Sequence, residues 1–175
     1  MNNNAIIKSF QLRAGRSVLG IGVRELGNCL GLSGATISLW ENKELDYNLK
    51  TSDVNITLLR KYFEQREVFF PDENTISLNP ALIKNSTNNA LTRFQLRAGR
   101  AILNLSQLEL ANYLNVSPQL ITRAEKLNNR DFIRPKELNV VAKIRIWFEN
   151  SGIYFSNDLS LSFKKNPKLI TKTVD

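Results

Sequence analysis

The chain is 175 residues long and 42% apolar, with a formal net charge of +8, no histidine and one cysteine. The missing histidine removes His-dependent acid/base catalysis, His-assisted nucleophiles and His-containing metal sites, and a single cysteine excludes both an internal disulfide framework and a thiolate metal site within one chain. No apolar run approaches the roughly 18 residues that span a bilayer, and Met1-Asn2-Asn3-Asn4-Ala5 lacks the basic and apolar regions of a signal peptide, so the expected location is the reducing cytoplasm.

The apolar spacing Ile6-Ile7, Phe10, Leu12, Ala14, Val18-Leu19 predicts a first helix. Gly20-Ile21-Gly22 breaks it, and a second helix follows from Val23 to Leu30, with Cys29 expected on its apolar side. Gly31-Leu32-Ser33 is a tight turn in which Gly31 suits a left-handed residue and Ser33 suits the next N-cap. A third helix runs from Gly34 to about Glu41, with Ile37 and Trp40 facing inward. After a loop, Ile56–Glu64 predicts a fourth helix, and Val68–Phe70 with Thr75–Leu78 predicts a small hairpin around Pro71–Asn74.

The chain then repeats itself. Phe10-Gln11-Leu12-Arg13-Ala14-Gly15-Arg16 returns letter for letter as Phe94–Arg100, and the match runs ungapped to Glu41 against Glu125. An offset of about 84 residues is too long for a solenoid unit and indicates two copies of one small domain. The second copy has a first helix from about Leu91 to Leu103, a second over Gln107–Leu114 and a third over Pro118 to about Lys126. Ser106 with Glu109 forms a capping box at the second helix, and Asn115 suits its left-handed C-terminus. Ser117 is the next cap candidate, with Pro118 at the first helical position. Val140–Glu149 predicts the fourth helix, and Ile153–Phe155 with Leu159–Phe163 the second hairpin. A lone hairpin is marginal, so each should pack on helices or pair with the other. Phe63, Trp147, Phe148 and the hairpin aromatics are expected in the core or an interface.

The domain reading is therefore a first unit over 1–79, a polar linker over 80–89, a second unit over 90–163 and a basic tail over 164–175. The charge is uneven: residues 1–87 hold ten Lys and Arg against nine Asp and Glu, and residues 88–175 hold fourteen against seven. Nearly all the positive excess thus sits in copy two, which favours a polyanionic partner.

The pattern Arg100, Ser106-Gln107-Leu108-Glu109-Leu110-Ala111, Leu114-Asn115-Val116-Ser117, Ile121, Glu125 resembles the phage-repressor type of helix-turn-helix domain found in phage and bacterial repressors. Copy one departs from it, with Gly22 and Val23 where Ser106 and Gln107 stand. The resemblance implies a mainly α chain of two tandem lambda-repressor-like helix-turn-helix domains, each of four helices followed by a small β-hairpin. It also implies that the third helix enters the major groove of double-stranded DNA.

On that reading the outward residues of the third helix in copy two, Gln119, Thr122, Arg123 and Lys126, are the base and phosphate contacts. Gln119 suits adenine and Arg123 suits guanine or a phosphate. The resemblance implies a phosphate contact for Gln107, and Ser117 serves as cap, phosphate contact or both. Ser33, Thr36, Ser38 and Lys43 are the candidates in copy one, whose outward surface of Ala35, Thr36, Ser38 and Leu39 offers little base-reading chemistry. Arg13 and Arg97 read equally as phosphate contacts or as solvated charges. The resemblance further implies partly buried ion pairs between Arg16 and Glu41 and between Arg100 and Glu125.

The expected function is a transcriptional regulator, most simply a repressor, with no catalytic step, no cofactor and no metal. Its partner would be DNA, bound as a homodimer or as a pseudo-dimer within one chain. The rival is a protein-interaction module of the same fold: an antitoxin, an anti-repressor or a nuclease inhibitor. An RNA-binding reading is opposed by the absence of expected exposed aromatic platforms.

Overall fold

In the computed structural model, residues 6–79, 90–126, 128–133 and 138–164 are described. The linker expected at 80–89 and all of the basic tail except Lys164 lie outside them. Four helices and two strands occur twice in succession. Copy one holds α1 (Ser9–Leu19), α2 (Val23–Leu30), α3 (Gly34–Glu41), α4 (Asp53–Glu64), β1 (Val68–Phe69) and β2 (Thr75–Leu78). Copy two holds α5 (Arg93–Ile102), α6 (Gln107–Leu114), α7 (Pro118–Glu125), α8 (Leu138–Asn150), β3 (Ile153–Asn157) and β4 (Ser160–Phe163).

The first helix of each copy starts later than the apolar spacing predicts. Ile7 and Leu91 are buried but precede the helices, because Lys8 and Thr92 are extended N-caps. The Thr92 hydroxyl accepts from Gln95 N while Thr92 N donates to Gln95 Oε1, a capping box that sets the start of α5. Lys8 N donates likewise to Gln11 Oε1. α4 begins earlier than expected, at Asp53, because the Ser52 hydroxyl accepts from Asn55 N. Gly31 and Asn115 take the left-handed conformation expected of them, with φ of 68° and 54°. Ser33 caps α3, whereas Ser117 makes no side-chain cap at α7, where Pro118 already occupies the first position and the Ser117 carbonyl accepts from Leu120 N.

Gly15 and Gly99 explain why the repeated heptapeptide carries a glycine inside a helix. An ideal Cβ at Gly99 would stand 2.2 Å from the Phe148 ring of α8, and one at Gly15 would stand 2.9 Å from the Phe63 ring of α4. The fourth helix of each copy therefore lays its buried phenylalanine directly on the backbone of the first. The buried glutamines of the heptapeptide tie the same helices to the hairpin turns: Gln11 Nε2 donates to Asp72 O and Thr75 O, and Gln95 Nε2 donates to Asn157 O.

The hairpins pair with each other. They form one antiparallel sheet in the order β1-β2-β4-β3. In the central pairing Thr75 faces Ser162, Ile76 faces Leu161 and Ser77 faces Ser160. Since copy-two hairpin residues follow their copy-one equivalents by about 85 positions, Ile76 faces its own counterpart and the flanking pairs are exchanged, the register of an isologous two-fold contact. The hydrogen bonds obey the same exchange: Leu78 N donates to Leu159 O and Phe163 N donates to Asn74 O, both at 2.8 Å.

α1 packs against α5, its repeat counterpart, and Phe10 of α1 meets Phe163 of β4 with ring centroids 5.4 Å apart. Buried apolar side chains of both copies form one continuous core. No helix among the described residues is long and apolar enough to cross a membrane.

Two sequence expectations about burial are corrected. Cys29 is exposed: the buried side of α2 is carried by Leu26 and Gly27, flanked by Val23 and Leu30, and Cys29 falls outside that stripe. Tyr154 is exposed because β3 is an edge strand whose alternate residues, Ile153 and Phe155, turn inward.

Candidate functional site

α7 is amphipathic at short range. Ile121, Ala124 and Glu125 are buried and Leu120 is half-buried, while Gln119, Thr122, Arg123 and Lys126 are exposed. Those four positions follow the i, i+3, i+4, i+7 spacing, so they form a single stripe on the solvent side. Arg123 Nε lies 3.3 Å from Gln119 O, along the helix surface. All four carry hydrogen-bonding heads, and two carry positive charge.

Behind this stripe a chain of polar contacts fixes α7 to α6 and α5. Thr122 Oγ1 donates to Gln107 Oε1 at 2.8 Å, and Gln107 Nε2 donates to Glu125 Oε2 at 2.7 Å. Glu125 receives Arg100 Nε at 2.6 Å and Nη2 at 2.8 Å, and Arg100 Nη1 donates to Leu105 O at 2.6 Å. Gln107 is thus half-buried with both ends of its amide engaged, a positioning role in addition to the phosphate contact the resemblance implies. Copy one repeats the core of the network: Arg16 Nε and Nη2 donate to Glu41 Oε1 and Oε2 at 2.7 and 2.8 Å, and Arg16 Nη1 donates to Ile21 O at 2.8 Å. With Val23 in place of Gln107 the copy-one network stops at the carboxylate.

Arg93 anchors the same C-terminal turn of α7 through its main chain. It is buried, and Nη1 donates to the carbonyls of Ala124 and Arg123. A guanidinium on the last carbonyls of a helix satisfies groups the helix itself leaves open. The matching position in copy one is Ser9, whose hydroxyl donates to Trp40 O at 2.7 Å. Sequence reasoning did not single out Arg93; the one signal was a Ser-to-Arg difference just before the repeated heptapeptide.

α3 presents a different surface. Ile37, Trp40 and Glu41 are buried, and Ala35 and Leu39 stand where Gln119 and Arg123 stand in copy two. Leu39 is 58% exposed. Ser33 and Thr36 bond each other, with Thr36 N donating to Ser33 Oγ and their hydroxyls 2.9 Å apart. Ser38 is half-buried and accepts from Asn42 Nδ2 at 3.4 Å. Lys43 is exposed, with Nζ 5.8 Å from the centre of the Tyr47 ring.

Arg13 and Arg97 do not join either stripe. Arg13 is 5% exposed and donates to Ile102 O of copy two and to Glu41 O. Burial lowers its pKa, an effect opposed by Glu41. Arg97 is half-buried, and Nη1 donates to Asn129 Oδ1 at 2.8 Å; Asn129 Nδ2 in turn donates to Val18 O of copy one at 2.9 Å. The two arginines therefore act across the junction of the copies, one directly and the other through Asn129. For Arg13 this replaces both sequence alternatives, since neither a solvated charge nor a free phosphate contact is buried against carbonyls. No protein-family model, curated protein or solved structure matches this chain.

Proposed function

We propose that this chain is a sequence-specific DNA-binding regulator of transcription, acting as a repressor through two tandem helix-turn-helix units of the phage-repressor type, with α7 as the reading helix. The observation that carries this is the solvent stripe of Gln119, Thr122, Arg123 and Lys126 on a helix whose C-terminal half is held by Gln107 and Arg93. An α-helix fits the major groove, where a glutamine pairs bidentately with adenine and an arginine with guanine. The excess of positive charge in copy two supports the same partner.

Because the copies are related by a pseudo-two-fold, the DNA site has two inverted and unlike half-sites about one helical turn apart. Copy two supplies base reading, and copy one adds contacts of lesser specificity. The test is selection from a random duplex library followed by gel shift of the selected sequence against random DNA. The expected result is a preference of about 10³-fold or more that the Gln119→Ala/Arg123→Ala variant loses.

The exposed Leu39 on α3 favours a second reading, in which copy one docks on a protein. Charge reversal at Arg123 and Lys126 separates the two: a DNA binder loses its partner, and a protein-docking module does not.

A further inference from the structure

Between the C-terminal ends of α1 and α5 the copies leave an open groove of about 490 Å³, with Arg13, Arg16 and Ser17 on one side and Arg100 and Asn104 on the other. That volume falls within the roughly 300–1,000 Å³ of small-ligand sites. The groove straddles the pseudo-two-fold, because Arg16 and Arg100 occupy equivalent positions in the repeat, as do Ile21 and Leu105 on its rim.

Three guanidiniums line this space and no carboxylate does. A guanidinium carries five N–H donors. Arg16 directs three of them at Glu41 and Ile21 O, and Arg100 directs three at Glu125 and Leu105 O, so each keeps two N–H groups with no protein acceptor among these contacts. Arg13 is held by backbone carbonyls, and its Nε is buried with no hydrogen-bond partner. The carboxylate that acts on it, Glu41, is already bidentate on Arg16. At the rim, Gly22 precedes α2 as an N-cap with no side chain, so the first N–H groups of the helix also lack a side-chain acceptor.

The geometry points to a binding site on the pseudo-two-fold for a small phosphorylated molecule, its phosphate lying between Arg16 and Arg100 and above Arg13. A phosphate offers charge-assisted acceptors to the spare N–H groups on both sides, and its charge offsets the desolvated Arg13. The ligand would touch both copies at once and hold their junction. This site stands whether or not α7 reads DNA.

The experiment uses the full chain and inorganic pyrophosphate as probe, with chloride and sulfate at matched ionic strength. Thermal unfolding is followed for wild type and for Ser17→Glu and Asn104→Asp, which add a carboxylate at half-buried and exposed positions of the groove. The expected result is a saturable rise in Tm with pyrophosphate that both variants lose while keeping near-wild-type Tm without ligand. Amide NMR of the wild type should place the shifts at Gly20–Gly22 and at Asn104 and Leu105, a readout that needs no variant. A Tm rise no larger than that of chloride or sulfate, an equal rise in the variants, or shifts elsewhere would overturn the site. Displacement of pyrophosphate by a short duplex whose own binding the same variants abolish would assign the phosphate to the DNA backbone and overturn the free-ligand reading.

Discussion

Ile76 on β2 and Leu161 on β4 face each other at the centre of the four-stranded sheet, each the repeat counterpart of the other. Both are fully buried. Every neighbouring pair is exchanged about them, so the chain builds within itself the two-fold contact that a homodimer would build between two chains. The strand that a second chain would need is already paired. The expected species in solution is a monomer of 19.9 kDa, checked by light scattering after size exclusion. A mass twice that at micromolar concentration would refute the closed pseudo-dimer.

The shared core has a thermodynamic consequence. Trp40 lies in copy one and Trp147 in copy two, and they are the two tryptophans of the chain. Removing one at a time, as Trp40→Phe and Trp147→Phe, leaves a fluorescence reporter in each copy. Coincident urea midpoints, referenced to each variant's circular dichroism, are expected if both copies unfold as one cooperative unit. Ile76→Ala should lower the stability read by both reporters, by about 2–5 kcal/mol for a buried isoleucine. A loss confined to one reporter would mean two independent domains.

Glu125 accepts from Arg100 and Gln107, and both the arginine and the carboxylate are largely removed from water, with side-chain exposures of 15% and 5%. Glu125→Ala leaves a guanidinium without its counter-charge and should cost about 3–5 kcal/mol, as breaking one side of a buried pair does. Glu41→Ala should cost a comparable amount: Arg16 is more exposed, at 23%, but the same carboxylate also opposes the desolvation of the buried Arg13. Replacing both partners, as Arg100→Met/Glu125→Leu, should recover most of the loss. Urea unfolding of the single and double variants measures each of these.

Gly99 sits under the Phe148 ring so closely that an added Cβ would stand 2.2 Å from Cε2. Alanine is the better helix former by about 1 kcal/mol, so Gly99→Ala would stabilise if space allowed. It should instead destabilise by about 1–3 kcal/mol, the range for overpacking a filled core. Gly15→Ala, with 2.9 Å to Phe63, should lose less.

Much of this was legible in the sequence for physical reasons. The repeated heptapeptide showed the copy number, the apolar spacing placed the eight helices of the described residues to within a few positions, and Arg16, Glu41, Arg100 and Glu125 were paired from the resemblance and meet in the structure. What the sequence concealed was the relation between the copies. Arg13 and Arg97 are the same letter in the same heptapeptide, yet one donates to a main-chain carbonyl across the junction and the other to Asn129, whose counterpart in copy one is Leu45, an apolar side chain with no acceptor. Burial of Arg13 depends on a surface about 89 residues away in sequence, and no local period encodes that. Cys29 was misplaced for a related reason: on an eight-residue helix a single position at the stripe's edge is decided by what packs there.

Glu109 gives a pH dependence of known sign. Its carboxylate accepts from Ser106 N at 2.7 Å, and these bonds from the Ser106 backbone and side chain hold its pKa below the ordinary value. A depressed carboxylate contributes stability above its unfolded pKa and loses it as pH falls through the folded one. The advantage of wild type over Glu109→Gln should therefore be present at about pH 6 and shrink towards about pH 3, as the pH falls below the ordinary glutamate value of about 4.3. Urea midpoints at the two pH values decide it; an advantage that persisted in acid would mean that the capping box acts without its charge.

The last prediction separates reading from charge on α7. Gln119 and Lys126 lie on one stripe, the first neutral and the second cationic. If the stripe lies in the major groove, Lys126 neutralises a phosphate and releases counterions, whereas Gln119 reads a base edge. Lys126→Ala should then weaken binding to all sequences about equally and flatten the dependence of log K on log salt by about one. Gln119→Ala should leave that slope unchanged and lower the preference for the selected site by about 1–3 kcal/mol at one base pair. Fluorescence anisotropy with selected and scrambled duplexes over a salt series measures both effects. Identical changes from the two substitutions would mean that α7 contacts DNA only as a charged surface, and an unchanged slope for Lys126→Ala would remove that residue from the interface.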